Sequence, residues 1–90
     1  MINAFQITVF GKVQGVWFRK GTQIQAQKLG LNGHVQNKQD GSVLIHAYGE
    51  EAQLKKLQEW CKDGTPHAKV ERIEVTEIPF KNLQEFSIIR

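Results

Sequence analysis

The stretch Gly11-Lys12-Val13-Gln14-Gly15-Val16-Trp17-Phe18-Arg19 restricts this chain more than any other. Its two glycines, Gly11 and Gly15, stand between an alternating apolar run and a helical one. Glycine accepts positive φ at little steric cost, so successive amides can turn toward one point. The helix that follows contributes its own unpaired N–H groups and the positive end of its dipole. Arg19 brings a forked cation that fits two oxygens of a phosphate or carboxylate. Strand, amide-lined loop and helix must therefore follow one another here, and the loop reads as a small anion cradle.

The flanking periodicities give the remaining elements. Phe5, Ile7 and Val9 alternate with Gln6 and Thr8, which predicts a half-buried strand ending near Gly11, with Phe10 on the opposite face beneath a later segment. Residues 20–31 predict a helix closed by Gly30, burying Phe18, Thr22, Ala26 and Leu29 and leaving Ile24 outside. Residues 33–38 read as a second strand. The Asp-Gly pair of Gln39-Asp40-Gly41-Ser42 turns it into a third, on which Val43, Ile45 and Ala47 share a face. Gly49-Glu50-Glu51 opens a second helix with carboxylates at its positive end. That helix buries Leu54, Leu57 and Cys61, is flanked by Trp60, and stops at Gly64.

Residues 70–78 make a fourth strand whose period slips between Val70 and Ile73, a sign of a bulge or a late start. Phe86 to Ile89 form a short closing strand, and Pro79 to Glu85 carries no pattern. The order βαββαβ with a small terminal strand predicts one α+β domain over residues 1–90, two helices on one face of an antiparallel sheet.

Composition narrows the function classes. Ninety residues make a single core, and 40% hydrophobic with 23% charged residues exclude disorder. No apolar run approaches the roughly 20 residues of a membrane helix, and no signal-peptide pattern opens the sequence, so no membrane partner is expected. The single cysteine fits a reducing cytoplasm. The net charge of +3 comes from scattered lysines, only Lys55 and Lys56 being adjacent, so no nucleic-acid stripe is read. An RNA-binding sheet of the same topology needs an aromatic-rich strand. The third strand, Ser42 to Tyr48, offers one aromatic and no Lys or Arg. No large exposed apolar patch is evident, which predicts a monomer. His46 and His67 show no clustered partners and read as surface or satisfied residues, and Cys61 as an inert small hydrophobe.

Gly-x-Val-Gln-Gly-Val-x-Phe-Arg over residues 11–19, Gly33-His34-Val35-Gln36-Asn37 and Asp40-Gly41-Ser42-Val43 together resemble the acylphosphatase family. The resemblance continues through Lys28-Leu29-Gly30-Leu31, Gly64-Thr65-Pro66-His67-Ala68-Lys69-Val70 and Phe86 to Arg90, so it covers nearly the whole chain. It implies a ferredoxin-like sandwich and hydrolysis of a small-molecule acyl phosphate to a carboxylate and inorganic phosphate, without metal or organic cofactor. Arg19 and the backbone amides of Gln14, Gly15, Val16, Trp17 and Phe18 would hold the phosphate, and Asn37 would orient the attacking water. Side-chain changes in the loop should then hurt less than loss of Arg19. Position 34 is usually aromatic in the family and is His34 here; position 36 is often basic and is Gln36 here. Both fall on the strand face opposite Asn37 and should tune packing or surface charge. Thr22 is expected either to support the cradle or to pack in the core, and Thr65-Pro66 to fix the start of the fourth strand.

The missing catalytic groups agree with this substrate. The sequence offers no convincing triad, no paired carboxylates near the cradle and no metal-ligand spacing. An acyl phosphate expels a carboxylate whose conjugate acid has a pKa of roughly 4, so departure needs no general acid. An amide such as Asn37 can orient water but has no useful pKa to act as a base. Positioning and charge stabilisation then carry the reaction. The alternative is a non-catalytic phosphate- or anion-binding regulatory module on the same fold.

Overall fold

The alternation at the start of the chain produces a long strand, β1 (Ile2–Lys12), and its neighbours set the architecture. The computed structural model describes residues 1–90. After β1 come α1 (Phe18–Lys28), β2 (Asn32–Asn37), β3 (Val43–Glu50), α2 (Glu51–Asp63), β4 (Lys69–Glu77) and β5 (Phe86–Ile89). The sheet order is β4-β1-β3-β2-β5. The first four strands in sequence pair antiparallel, whereas β5 joins β2 in parallel at the far edge, so the sheet is mixed. A ferredoxin-like sandwich results, with both helices on one face.

That face is apolar on every strand. Ile7 and Val9 of β1, Val35 of β2 and Val43 and Ile45 of β3 are buried in one cluster with Phe18, Ala26, Leu54, Leu57 and Cys61 from the helices. The two predicted helix stripes thus meet the sheet, and Thr22 joins them fully buried, its hydroxyl donating to the Phe18 carbonyl at 2.8 Å. Ile24 stays exposed, as its phase requires. Burying a Leu- or Phe-sized side chain contributes about 1.5–3 kcal/mol, so this cluster is the main source of stability.

The slipped period in the fourth strand is a β-bulge. Phe10 faces Arg72 while Gly11 faces Val70, leaving Glu71 unmatched. A Cβ on Gly11, whose φ is 128°, would strike the Lys69 carbonyl, so this glycine is what lets the strands approach. Phe10 lies on the opposite face under the Arg72 guanidinium, 3.9 Å from ring centre to Cζ.

β4 ends at Glu77, one residue short of the expected 78, and Pro79 to Glu85, which carries no pattern in sequence, belongs to an ordered crossover of residues 78–85. They must carry the chain from β4 at one edge to β5 at the other. On the way the Ile78 amide donates to the Ala4 carbonyl (3.0 Å), Phe80 meets Tyr48 edge-on, the Asn32 amide donates to the Leu83 carbonyl (2.7 Å) and the Gly33 amide to the Glu85 carbonyl (2.9 Å). Every inner strand is touched, β1 and β3 once and β2 twice.

Candidate active site

The cradle forms at the end of the sheet where β1 leaves and α1 begins. Gly15 has φ 75° and Trp17 has φ 65°, both left-handed, and Trp17 is the residue that caps α1. Alternating left-handed residues turn their amides to one side. No side chain caps the helix and no acid sits in its first turn, so its positive end is free to meet an anion. The amides of Gln14 through Arg19 donate to no carbonyl of the chain. Trp17 is 77% exposed while Val16 and Phe18 are buried in the core. The apolar side chains on either side of it therefore anchor the loop and leave its polar edge open.

One hydrogen bond fixes the direction of an amide. The Thr65 hydroxyl donates to the Val16 carbonyl at 2.7 Å. In a trans peptide the N–H of the next residue points away from that carbonyl, so the Trp17 amide is turned away from Thr65. Besides the expected place at the start of the fourth strand, the Thr65 hydroxyl thus supports the cradle.

Arg19 is half-buried and its Nη1 donates to the Ile89 carbonyl of β5 at 3.4 Å. It belongs to none of the four ion pairs of the chain, which all lie among exposed groups. Its charge is thus uncommitted. Asn37, at the end of β2, lies on the helix-covered face because it shares the phase of Val35. Its Oδ1 is buried with no hydrogen-bond partner, an acceptor that a water or substrate group would satisfy. Gly15, Trp17, Arg19 and Asn37 line one open cavity of about 860 Å³, which also takes in Lys20, Glu85 and Arg90. Among these side chains three cations stand against one carboxylate, which favours an anion.

Of the predicted site residues, Gly15, Trp17, Phe18, Arg19 and Asn37 line this cavity, and Gln14 and Val16 do not. Gln14 was expected to act through its backbone amide, yet its side chain bridges to the β2–β3 turn, Nε2 donating to the Lys38 carbonyl at 2.7 Å and to the Ser42 carbonyl at 2.9 Å. Within that turn Asp40 Oδ1 accepts from the Ser42 amide (2.9 Å) and hydroxyl (2.6 Å), and these bonds hold the Asp40 carboxyl below the usual carboxylate range.

His34 and Gln36 stand on the face away from the cavity, as their phase predicted, but His46 is not solitary. The β2–β3 register sets His34 directly opposite His46, and the rings pack tilted at 45° with centroids 4.7 Å apart. His46 Nε2 also meets Gln6 Oε1 at 2.9 Å. Burial, then the Lys81 charge, holds the His34 pKa below its ordinary value. Burial, then His34, then Lys81, does the same for His46. Cys61 is fully buried, and desolvation pushes its thiol up to about 12.

Comparison with known proteins agrees with this geometry. The acylphosphatase family model matches residues 5–88. An acylphosphatase of Marinobacter nauticus is 46% identical over 89 residues, covering 99% of this chain and 95% of that protein. The crystal structure of an acylphosphatase from Bacillus subtilis superposes with a TM-score of 0.95 at 42% identity, covering 100% of both chains. One from Coxiella burnetii gives 0.95 at 35% identity, covering 98% of this chain and 93% of that one. With cradle, uncommitted arginine and unpartnered asparagine gathered at one end of the sheet, and with similarity running through almost every residue, the chain belongs to the acylphosphatase family.

Proposed function

We propose that this chain hydrolyses the carboxyl–phosphate bond of acyl phosphates by positioning alone, with Arg19 and the amides of Gln14, Gly15, Val16, Trp17 and Phe18 holding the phosphoryl group and Asn37 holding the water. That it is an enzyme, an acylphosphatase, follows from the family. The division of labour rests on one observation: the cavity that contains the uncommitted Arg19 also contains the buried, unpartnered Oδ1 of Asn37.

Oδ1 accepts one hydrogen of the attacking water and leaves its lone pair free to meet phosphorus. The second proton passes to a phosphoryl oxygen of the substrate. The carboxylate leaves unprotonated, as its low basicity allows. As charge redistributes over the phosphoryl oxygens, the guanidinium fork and loop amides stabilise it, with no reorganisation required at that moment. The substrate is a small molecule, and no cofactor enters the scheme.

We further propose a monomer in the cytoplasm. Its one thiol is a core residue, and its large exposed apolar side chains, among them Ile2, Trp17, Ile24 and Phe80, are spread over separate elements. Sedimentation checks the monomer.

The test of the activity is benzoyl phosphate hydrolysis with EDTA present, comparing wild type with Arg19→Ala and Asn37→Ala. Turnover that collapses in both folded variants is expected. A folded Asn37→Ala protein with near-normal rate overturns the mechanism. Phosphate binding without turnover in the wild type identifies an anion-binding module instead.

A further inference from the structure

The two halves of the cavity are built on strands that do not touch. The cradle follows β1 and Asn37 ends β2, and β3 lies between those strands in the sheet. They are related through β3, where Val43 faces Val9 on one side and Asn37 on the other, but the loops beyond those strand ends share no ladder. The Gln14 side chain spans the gap, its amide nitrogen holding the Lys38 and Ser42 carbonyls at 2.7 and 2.9 Å.

Those carbonyls do not need Gln14 in order to make the turn. The Lys38 carbonyl already accepts from the Gly41 amide at 3.2 Å, and the Ser42 carbonyl from the Lys38 amide at 2.8 Å. The turn is closed again by Asp40 on Ser42. Both Gln14 bonds are thus additional to a turn complete in itself, and what they join is the turn to the cradle. Lys38 is the residue after Asn37, and Ser42 precedes Val43, the cross-strand partner of Asn37. The attachment brackets Asn37 from both sides of the hairpin.

We propose that the Gln14 side chain is a positioning residue that holds the water-orienting Asn37 at a fixed distance from the phosphate-binding amides. The inference rests on the role given to Asn37 above. Gln14 differs in this from Gly15 to Phe18, which serve through their backbone. Only the donor end of its side chain is used, so the requirement is for N–H groups at that reach. Loss of those donors lets the water drift relative to phosphorus without removing any group that touches phosphate. Misplacement by about 1 Å costs on the order of 100-fold in rate.

The experiment is a double-mutant cycle in kcat for benzoyl phosphate over wild type, Gln14→Met, Asn37→Ala and the double variant, with inhibition by inorganic phosphate measured on each. Methionine keeps the reach and removes the donors; Gln14→Leu removes them, likewise without adding charge, should the methionine variant melt early. The expected result is a kcat at least about tenfold lower in Gln14→Met, an inhibition constant for phosphate within about twofold of wild type, and no further loss when Gln14→Met is added to Asn37→Ala. Losses that multiply in the double variant, or a phosphate constant that rises as kcat falls, overturn the inference and make Gln14 part of the phosphate site or of the fold. Full rate in Asn37→Ala with a slow Gln14→Met overturns the role of Asn37 itself, and the inference with it.

Discussion

The Thr65 hydroxyl donates to the Val16 carbonyl at 2.7 Å, tying the loop after α2 to the peptide plane that presents the Trp17 amide. Thr65→Val keeps the shape and removes the donor. A neutral hydrogen bond contributes about 1 kcal/mol, so inhibition by inorganic phosphate should weaken about fivefold, and Thr65→Ser should restore it. Unchanged phosphate inhibition in Thr65→Val would show that the loop holds its shape without this bond.

Arg19 is in no ion pair, so removing its charge should cost catalysis and not the fold. Arg19→Ala is expected to lower kcat/KM for benzoyl phosphate by about 100- to 1,000-fold, the range seen when one transition-state donor is lost. Arg19→Lys should fall between, because an ammonium keeps the charge and loses the fork. Unfolding free energies of both variants from urea titration should stay within about 0.5 kcal/mol of wild type.

His34 and His46 make stability depend on pH. Both have folded pKa values below the unfolded 6.5, so at higher pH both are neutral and their contribution is complete. As pH falls below 6.5 the unfolded chain takes up protons that the folded chain resists, and stability is lost down through the folded values. The melting temperature should therefore decline on acidification from pH 6.5, and His34→Gln/His46→Gln should decline less steeply. An equal decline in that variant would move the effect to other groups. The Asp40 contribution lies in a separate window, below 3.8.

Cys61 should be silent in the folded protein. Its thiol, pushed up to about 12 and fully buried, has almost no thiolate at neutral pH. Labelling by a disulfide reagent should track global unfolding, and urea that unfolds the chain should release it. Cys61→Ser, which buries a hydroxyl, should cost about 1–3 kcal/mol in a urea titration.

What was legible followed from local geometry. The alternation of Phe5, Ile7 and Val9, the Asp40-Gly41 turn and the slipped phase at Val70 each depend on near neighbours, and each appears where its residues stand. The His34–His46 contact was within reach: a hairpin turning at Asp40-Gly41 that pairs Asn37 with Val43 must set 34 opposite 46. Reading each histidine against its sequence neighbours alone missed it. The parallel docking of β5, the path of residues 78–85 and the Thr65–Val16 bond have no local signal, because each joins segments brought together only by the finished sheet. Arg19 and Asn37 were found through a motif, whereas the second use of Gln14 depended on knowing that β3 separates its strand from β2.

The position of β1 has a consequence for how the molecule assembles. Both its neighbours, β3 and β4, come from much later in the chain, β4 ending at Glu77. The strand made first is therefore satisfied last on one side, and closing that gap costs loop entropy before any contact repays it. A high contact order of this kind slows folding relative to helical domains of similar size. During synthesis the edge of β1 that pairs with β4 stays open until Glu77 has been added, an unpaired edge that a newborn chain must shelter.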